Sequence, residues 1–135
     1  MTRAVEAQPC PCGRKEGRSG LLPYVRCCGM FIGQGQTAPD AETLMRSRYS
    51  AFALGESTYL LNTWHASTRP HSLDLESDVK WLGLEVRSRQ DIDADHAEVE
   101  FVARSRHGGR GHRLHERSRF VKEEGRWFYV DGDLY

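Results

Sequence analysis

Apolar residues change their rhythm twice along this chain. From residue 1 to 36 they follow neither a helical nor a strand period, and Pro9, Pro11, Pro23 and six glycines interrupt the stretch. From Pro39-Asp40 the spacing becomes helical. Leu44, Met45, Tyr49, Phe52 and Ala53 fall on one side, Asp40 stands where an N-cap belongs, Glu42 suits the first turn, and Gly55 is a C-cap candidate. A second short helix is expected over Glu56–Trp64, presenting Tyr59, Leu60, Leu61 and Trp64 and ending before Pro70.

Beyond Pro70 the period falls to two. Leu82, Leu84 and Val86 alternate with Gly83, Glu85 and Arg87; Ala97, Val99, Phe101 and Ala103 alternate with Glu98, Glu100 and Arg104. A third strand is expected over His112–Val121, after the turn His107–Gly111, and a fourth over Arg126–Asp131, after Glu123-Glu124-Gly125. Short turns between strands predict an antiparallel meander. Helices first and strands after give an α+β domain with helices on one sheet face. The chain therefore divides into a loop-rich segment, 1–36, and an α+β domain, 37–135.

Composition bounds the function without naming it. The 135 residues are 39% apolar and 28% charged, with 19 basic against 19 acidic side chains. These values exclude a collagen, a coiled coil and a wholly disordered chain. No apolar run approaches the roughly 18 residues of a membrane span, and Met1–Pro11 has no apolar signal region, so a cytoplasmic protein is expected. Zero net charge argues against nucleic acid as a partner.

The cysteines change the picture more. Cys10, Cys12, Cys27 and Cys28 all lie in the loop-rich segment, as Cys-x-Cys and Cys-Cys. A secreted disulfide scaffold would spread its cysteines, and adjacent cysteines seldom bond to each other. Four thiols in two short pairs match a closed tetrahedral zinc site, structural because no position remains for water; iron in a four-cysteine site fits the same ligands. Gly13 and Gly29, one after each pair, would let the chain turn around the ion. Four free thiols or a redox pair are the plainer alternative.

Cys10-Pro-Cys12-Gly13 with Cys27-Cys28-Gly29 resembles the SEC-C metal-binding motif of the SecA translocase. The run Ala38–Phe52, Thr63–Pro70, Trp81–Val86, Leu114–Phe120 and Arg126–Asp133 resemble the YchJ family of bacterial proteins. The resemblance covers nearly the whole chain. It implies a zinc-binding N-terminal motif and a domain similar to nuclear transport factor 2, a cone of curved antiparallel sheet wrapped by helices. It implies no biochemical activity. The gap from Gly13 to Arg26 is longer than the motif usually has; a longer closed loop costs only about 0.6 kcal/mol per doubling, so metal binding should survive.

Polar residues on apolar faces are the remaining clue. Arg48 falls inside the apolar arc of the first helix, between Leu44 and Phe52. On the third strand Leu114, Glu116, Ser118 and Phe120 share the face expected to meet the helices, while Arg113, His115, Arg117 and Arg119 face water. Trp127, Tyr129 and Asp131 share one side of the fourth strand. An Arg48–Glu116 ion pair fixing helix against sheet is the plainer expectation. The functional one is a polar pocket of Arg48, Trp64, His65, Glu116 and Ser118 at the cone mouth. His65 has a simpler role open to it, at a helix C-terminus.

These readings converge on a zinc-binding cytosolic protein whose cone binds a small ligand or a protein. Two alternatives stand beside it: an enzyme using Arg48, His65 and Glu116, and an RNA- or ribosome-associated factor using the Arg- and His-rich stretch 104–119.

Overall fold

A computed structural model describes residues 8–15 and 20–135. A 3-10 turn, Tyr24–Arg26, leads into the one-turn helix α1 (Gly29–Ile32), then α2 (Ala41–Leu54) and α3 (Ser57–Asn62). Four strands follow: β1 (Lys80–Asp93), β2 (His96–His107), β3 (Arg110–Glu123) and β4 (Arg126–Leu134). Each pairs antiparallel with the next, giving the sheet order β1-β2-β3-β4. The fold is α+β, with the helices on one face of the sheet, as the change of period predicts.

Asp40 caps α2 as expected: its carboxylate accepts the Thr43 N–H at 2.7 Å, and Gly55 closes the other end. The second helix stops earlier than its pattern suggests. Thr63 is its C-cap, and Trp64 instead forms a parallel bridge with Tyr129 of β4. Tyr129 N–H donates to the Thr63 carbonyl at 2.9 Å, and His65 N–H donates to the Tyr129 carbonyl at 2.7 Å. The free edge of β4 offers this stretch a ladder that outcompetes another helical turn, so His65 does not sit at a helix C-terminus.

Bulges rearrange the strand faces. Leu82 is skipped by the pairing between Trp81 and Gly83, and it is exposed, while Trp81, Leu84 and Val86 pack on the core. A second irregularity, between Arg119 and Phe120 on the β4 side of β3, leaves Val130 unpaired. One extra residue moves everything beyond it to the other face. Asp131 therefore leaves the side of Trp127 and Tyr129 and pairs on the outer face with Arg119, Nε to Oδ1, at 2.6 Å.

On β2 the expected inward residues Ala97, Val99, Phe101 and Ala103 are all buried, and Val102 between the last two is buried as well. One buried cluster joins the inward residues to Leu44, Met45 and Tyr49 of α2, and also to Cys10, Cys12, Tyr24, Cys27, Cys28 and Phe31. The cysteine segment thus shares its apolar contacts with the α+β domain. Among the described residues no helix is long and apolar enough to cross a membrane.

Candidate metal centre and ligand cavity

The cysteine segment is folded by its own backbone hydrogen bonds. Cys10 N–H donates to the Leu22 carbonyl at 2.8 Å, and Cys27 N–H closes the 3-10 turn on Tyr24 at 3.0 Å. These bonds bring both pairs together, with the four Sγ atoms within 4.8 Å of one another and all four residues buried. None is disulfide-bonded, and Cys12 and Cys27 Sγ lie 3.6 Å apart. A tetrahedron with metal–sulfur bonds of about 2.3 Å has sulfur–sulfur edges of about 3.8 Å, so this donor set fits a metal ion.

Electrostatics points the same way. Hydrogen bonds from Cys12, Cys27 and Cys28 pull the Cys10 thiol down, while hydrogen bonding with Cys10 and its neighbours pushes Cys28 up. Four crowded sulfurs cannot all ionise unless a cation sits among them. Around them Ser50 Oγ lies 3.4 Å from Cys10 Sγ, and Arg46 Nη1 donates to the Cys12 carbonyl at 3.1 Å. Arg14, Arg26 and Arg46 line the groove beside Cys27 and Cys28, which suits a site of net negative charge.

The two glycines act differently from one another. Gly13 takes φ +76°, the tight turn anticipated for it. Gly29 does not; a Cβ there would lie 2.7 Å from the Tyr24 carbonyl oxygen and 2.9 Å from its ring. Close backbone approach, not turn geometry, demands that glycine.

On the other side of α2 lies a cavity of about 230 Å³. Met45, Tyr49, Phe52, Trp81, Phe101 and Leu114 make its walls apolar, and Arg48, Glu116 and Ser118 supply the polar groups. Arg48 Nη1 donates to the Leu60 carbonyl and to Thr63 Oγ1, each at 2.7 Å. Its guanidinium carbon stands 4.7 Å from the Tyr129 ring centre and 5.2 Å from that of Trp64. Burial lowers the guanidinium to about 10, so it stays charged at neutral pH. Glu116 Oε2 accepts the Ser118 hydroxyl at 2.7 Å and the Tyr129 phenol at 3.3 Å. Burial, with Glu116 beside it, pushes that phenol up to about 12 and keeps it a donor.

A family model described as the YchJ middle domain, similar to nuclear transport factor 2, matches residues 40–132. The chain belongs to the YchJ family. A UPF0225 protein from Polaromonas naphthalenivorans is 60% identical over 133 residues, covering 94% of this chain and 98% of its own. Another from Bordetella pertussis is 56% identical, covering 93% and 92%. The solution structure of a SEC-C motif containing protein from Rhodopseudomonas palustris superposes with TM-score 0.79 at 32% identity, over 95% of this chain and 99% of that one. The crystal structure of a SEC-C motif containing protein from Psychrobacter arcticus gives 0.81 at 29% identity, over 98% and 85%.

Within this YchJ framework, four of the five residues expected in the pocket line one cavity: Arg48, Trp64, Glu116 and Ser118. His65 does not. Its Nε2 lies 2.7 Å from Glu123 Oε2 and its Nδ1 2.7 Å from Ser67 Oγ, outside the cavity. The expected Arg48–Glu116 ion pair is absent among the described residues. Arg48 is held by the end of α3, and Glu116 by β3 and β4. The partners that sequence reasoning missed are Thr63 and Tyr129. Tyr129 had a signal, an aromatic beside Trp127 on the inner face of β4; Thr63 had none.

A second cluster, Glu76, Asp78 and His107, sits at the surface. There His107 Nε2 already lies 3.1 and 3.0 Å from the two carboxylates. On the outer sheet face the basic stretch is matched by acids: Arg104 by Glu85, Arg117 by Glu98 and Glu100, and Arg119 by Asp131 and Asp133.

Proposed function

We propose that this is a cytoplasmic zinc protein in which Cys10, Cys12, Cys27 and Cys28 hold a structural ion and the cone cavity binds a small ligand through an acidic group on Arg48. One observation carries the ligand reading. Arg48 is 6% exposed, has no carboxylate partner among the described residues, and lines a cavity. A buried guanidinium with no ion-pair partner is expensive to maintain, and Glu116 in the same cavity offsets that only through longer-range attraction, so an anion supplied by a ligand would be favoured. Trp64, on the same wall, adds a buried Nε1–H with no acceptor, a group whose unmet bond costs about 1–3 kcal/mol.

Zinc is favoured over iron because a closed four-thiolate site needs no redox chemistry to be useful; it needs an ion that holds the fold. Four unbonded cysteines suit a reducing compartment. Binding is favoured over catalysis because His65, one of the two bases the enzyme alternative offers, lies outside the cavity, and the other, Glu116, already accepts from Ser118 and Tyr129. The paired acids on the outer face weaken the nucleic-acid alternative.

Elemental analysis of the purified full chain tests the metal: about one zinc per chain is expected, with four thiols that titrate only after chelation. Substoichiometric metal with freely reactive thiols would refute it. Titration with short apolar carboxylates and their uncharged amides tests the cavity. The acids should bind and the amides should not, and Arg48→Met should abolish the difference. Equal binding of acid and amide would remove Arg48 from the site.

A further inference from the structure

Glu116 stands in the same cavity as Arg48, and the two form no ion pair. Each is tied to its own side. Nη1 of Arg48 is occupied by Leu60 and Thr63, while Nε and Nη2 have no acceptor among the described residues. Oε2 of Glu116 is occupied by Ser118 and Tyr129, while Oε1 accepts nothing there. Gly132 of β4 lies directly behind this carboxyl, so close that a Cβ would collide with Oε2. A bare backbone on that side leaves the carboxyl its place against the sheet. Two groups of opposite charge in one apolar cavity attract strongly when nothing else holds them. Each held by its own neighbours and half-satisfied, they leave guanidinium donors and a carboxylate oxygen without protein partners in one cavity.

We propose that the cavity takes a small apolar α-amino acid. Its carboxylate meets the free N–H groups of Arg48, its ammonium meets Oε1 of Glu116, and its side chain lies against Met45, Phe52, Trp81 and Leu114. This rests on the cavity reading above and sharpens it from an acid to a zwitterion. A zwitterion satisfies both groups, whereas a simple acid leaves Glu116 unmatched and a simple amine leaves Arg48 unmatched. Size agrees. Benzene, six carbons, occupies an engineered cavity of about 150 Å³, so the same filling gives about nine non-hydrogen atoms in this one. Leucine has that many. The aliphatic and aromatic lining fits such a side chain and rejects a charged one.

Calorimetric titration of the full chain with L-leucine, 4-methylpentanoate and 3-methylbutylamine separates the cases. Leucine should bind about tenfold or more tightly than either of the others, because each lacks one charge-assisted contact. In Glu116→Gln, which keeps the shape of the side chain, leucine should fall to the level of 4-methylpentanoate. If 4-methylpentanoate matches leucine on the wild-type chain, the amino-acid assignment is wrong and the acid-binding cavity stands. If the amine alone binds, both are wrong. If none of the three binds at millimolar concentration, neither survives. The wild-type comparison decides these outcomes even if Glu116→Gln does not fold.

Discussion

Replacing Arg48 by Met separates a ligand-binding arginine from a structural clamp. Burial lowers the folded guanidinium from 12.5 to about 10. A drop of that size means the fold holds this charge at a disadvantage of about 3 kcal/mol. Against this, Nη1 makes two hydrogen bonds, and losing them takes back part of that gain. The Thr63 hydroxyl already gives its one proton to the Tyr59 carbonyl at 2.8 Å, so the Leu60 carbonyl, 3.3 Å from it, keeps only a weak second contact. Met fills most of the volume of the arginine stem, and Glu116, which favours the charge without forming an ion pair, loses only that longer-range attraction. The expected change in unfolding free energy is within about 1 kcal/mol of zero, a few degrees in Tm. Breaking a true buried ion pair would instead cost about 3–5 kcal/mol. Urea denaturation followed by circular dichroism measures the difference. A loss of 3 kcal/mol or more would mean that Arg48 is chiefly a clamp. The pH dependence carries its own sign. The folded value lies below the unfolded one, so the unfolded chain binds more protons between about pH 10 and 12.5. Wild type should therefore gain stability relative to Arg48→Met as pH rises through about 10.

Further tests address other parts of the chain. Gly29→Ala should destabilise by about 1–3 kcal/mol and loosen metal binding, because the Tyr24 carbonyl cannot move aside; a stability unchanged in urea would contradict the close approach. His65→Ala should cost less than about 1 kcal/mol, since its Glu123 partner is more than half exposed, and should leave ligand affinity untouched; altered affinity in calorimetry would return His65 to the site. Burial pushes the Tyr24 and Tyr49 phenols up to about 12. The unfolded chain ionises first, so stability should be lost between about pH 10 and 12, with phenolate absorbance appearing together with unfolding; phenolate forming near pH 10 in the intact fold would refute their burial.

Much of this molecule was legible because its signals are local. The α2 cap at Asp40, the alternation of β2 and the paired cysteines each need only neighbouring residues to be read. The inward face of β3 was legible too, since Leu114 and Phe120 bracket Glu116 and Ser118 and all four face the helices. Failures came where a distant strand decided the outcome. The skipped residues at Leu82 and Val130 depend on pairing with β2 and β3, and no period records a bulge. Trp64 and His65 read as the end of a helix because the edge of β4 that captures them lies some 65 residues away. Placing Arg48 and Glu116 on inward faces was right, but geometry alone shows that each is claimed by its own neighbours first.

The bridge between residues 63–65 and β4 has a consequence for how this sheet meets other chains. An open four-stranded sheet has two rims, each a row of unpaired N–H and C=O groups that can template a foreign strand. At the β4 rim, Thr63 and His65 occupy both backbone groups of Tyr129, and the Thr68 hydroxyl donates to the Val130 carbonyl at 2.6 Å. At the β1 rim, pairing skips Leu82, Arg87 and Ile92, so the strand never presents a long regular row. One rim is blocked at its middle and the other is broken, and the sheet is guarded against edge-to-edge growth without being closed into a barrel.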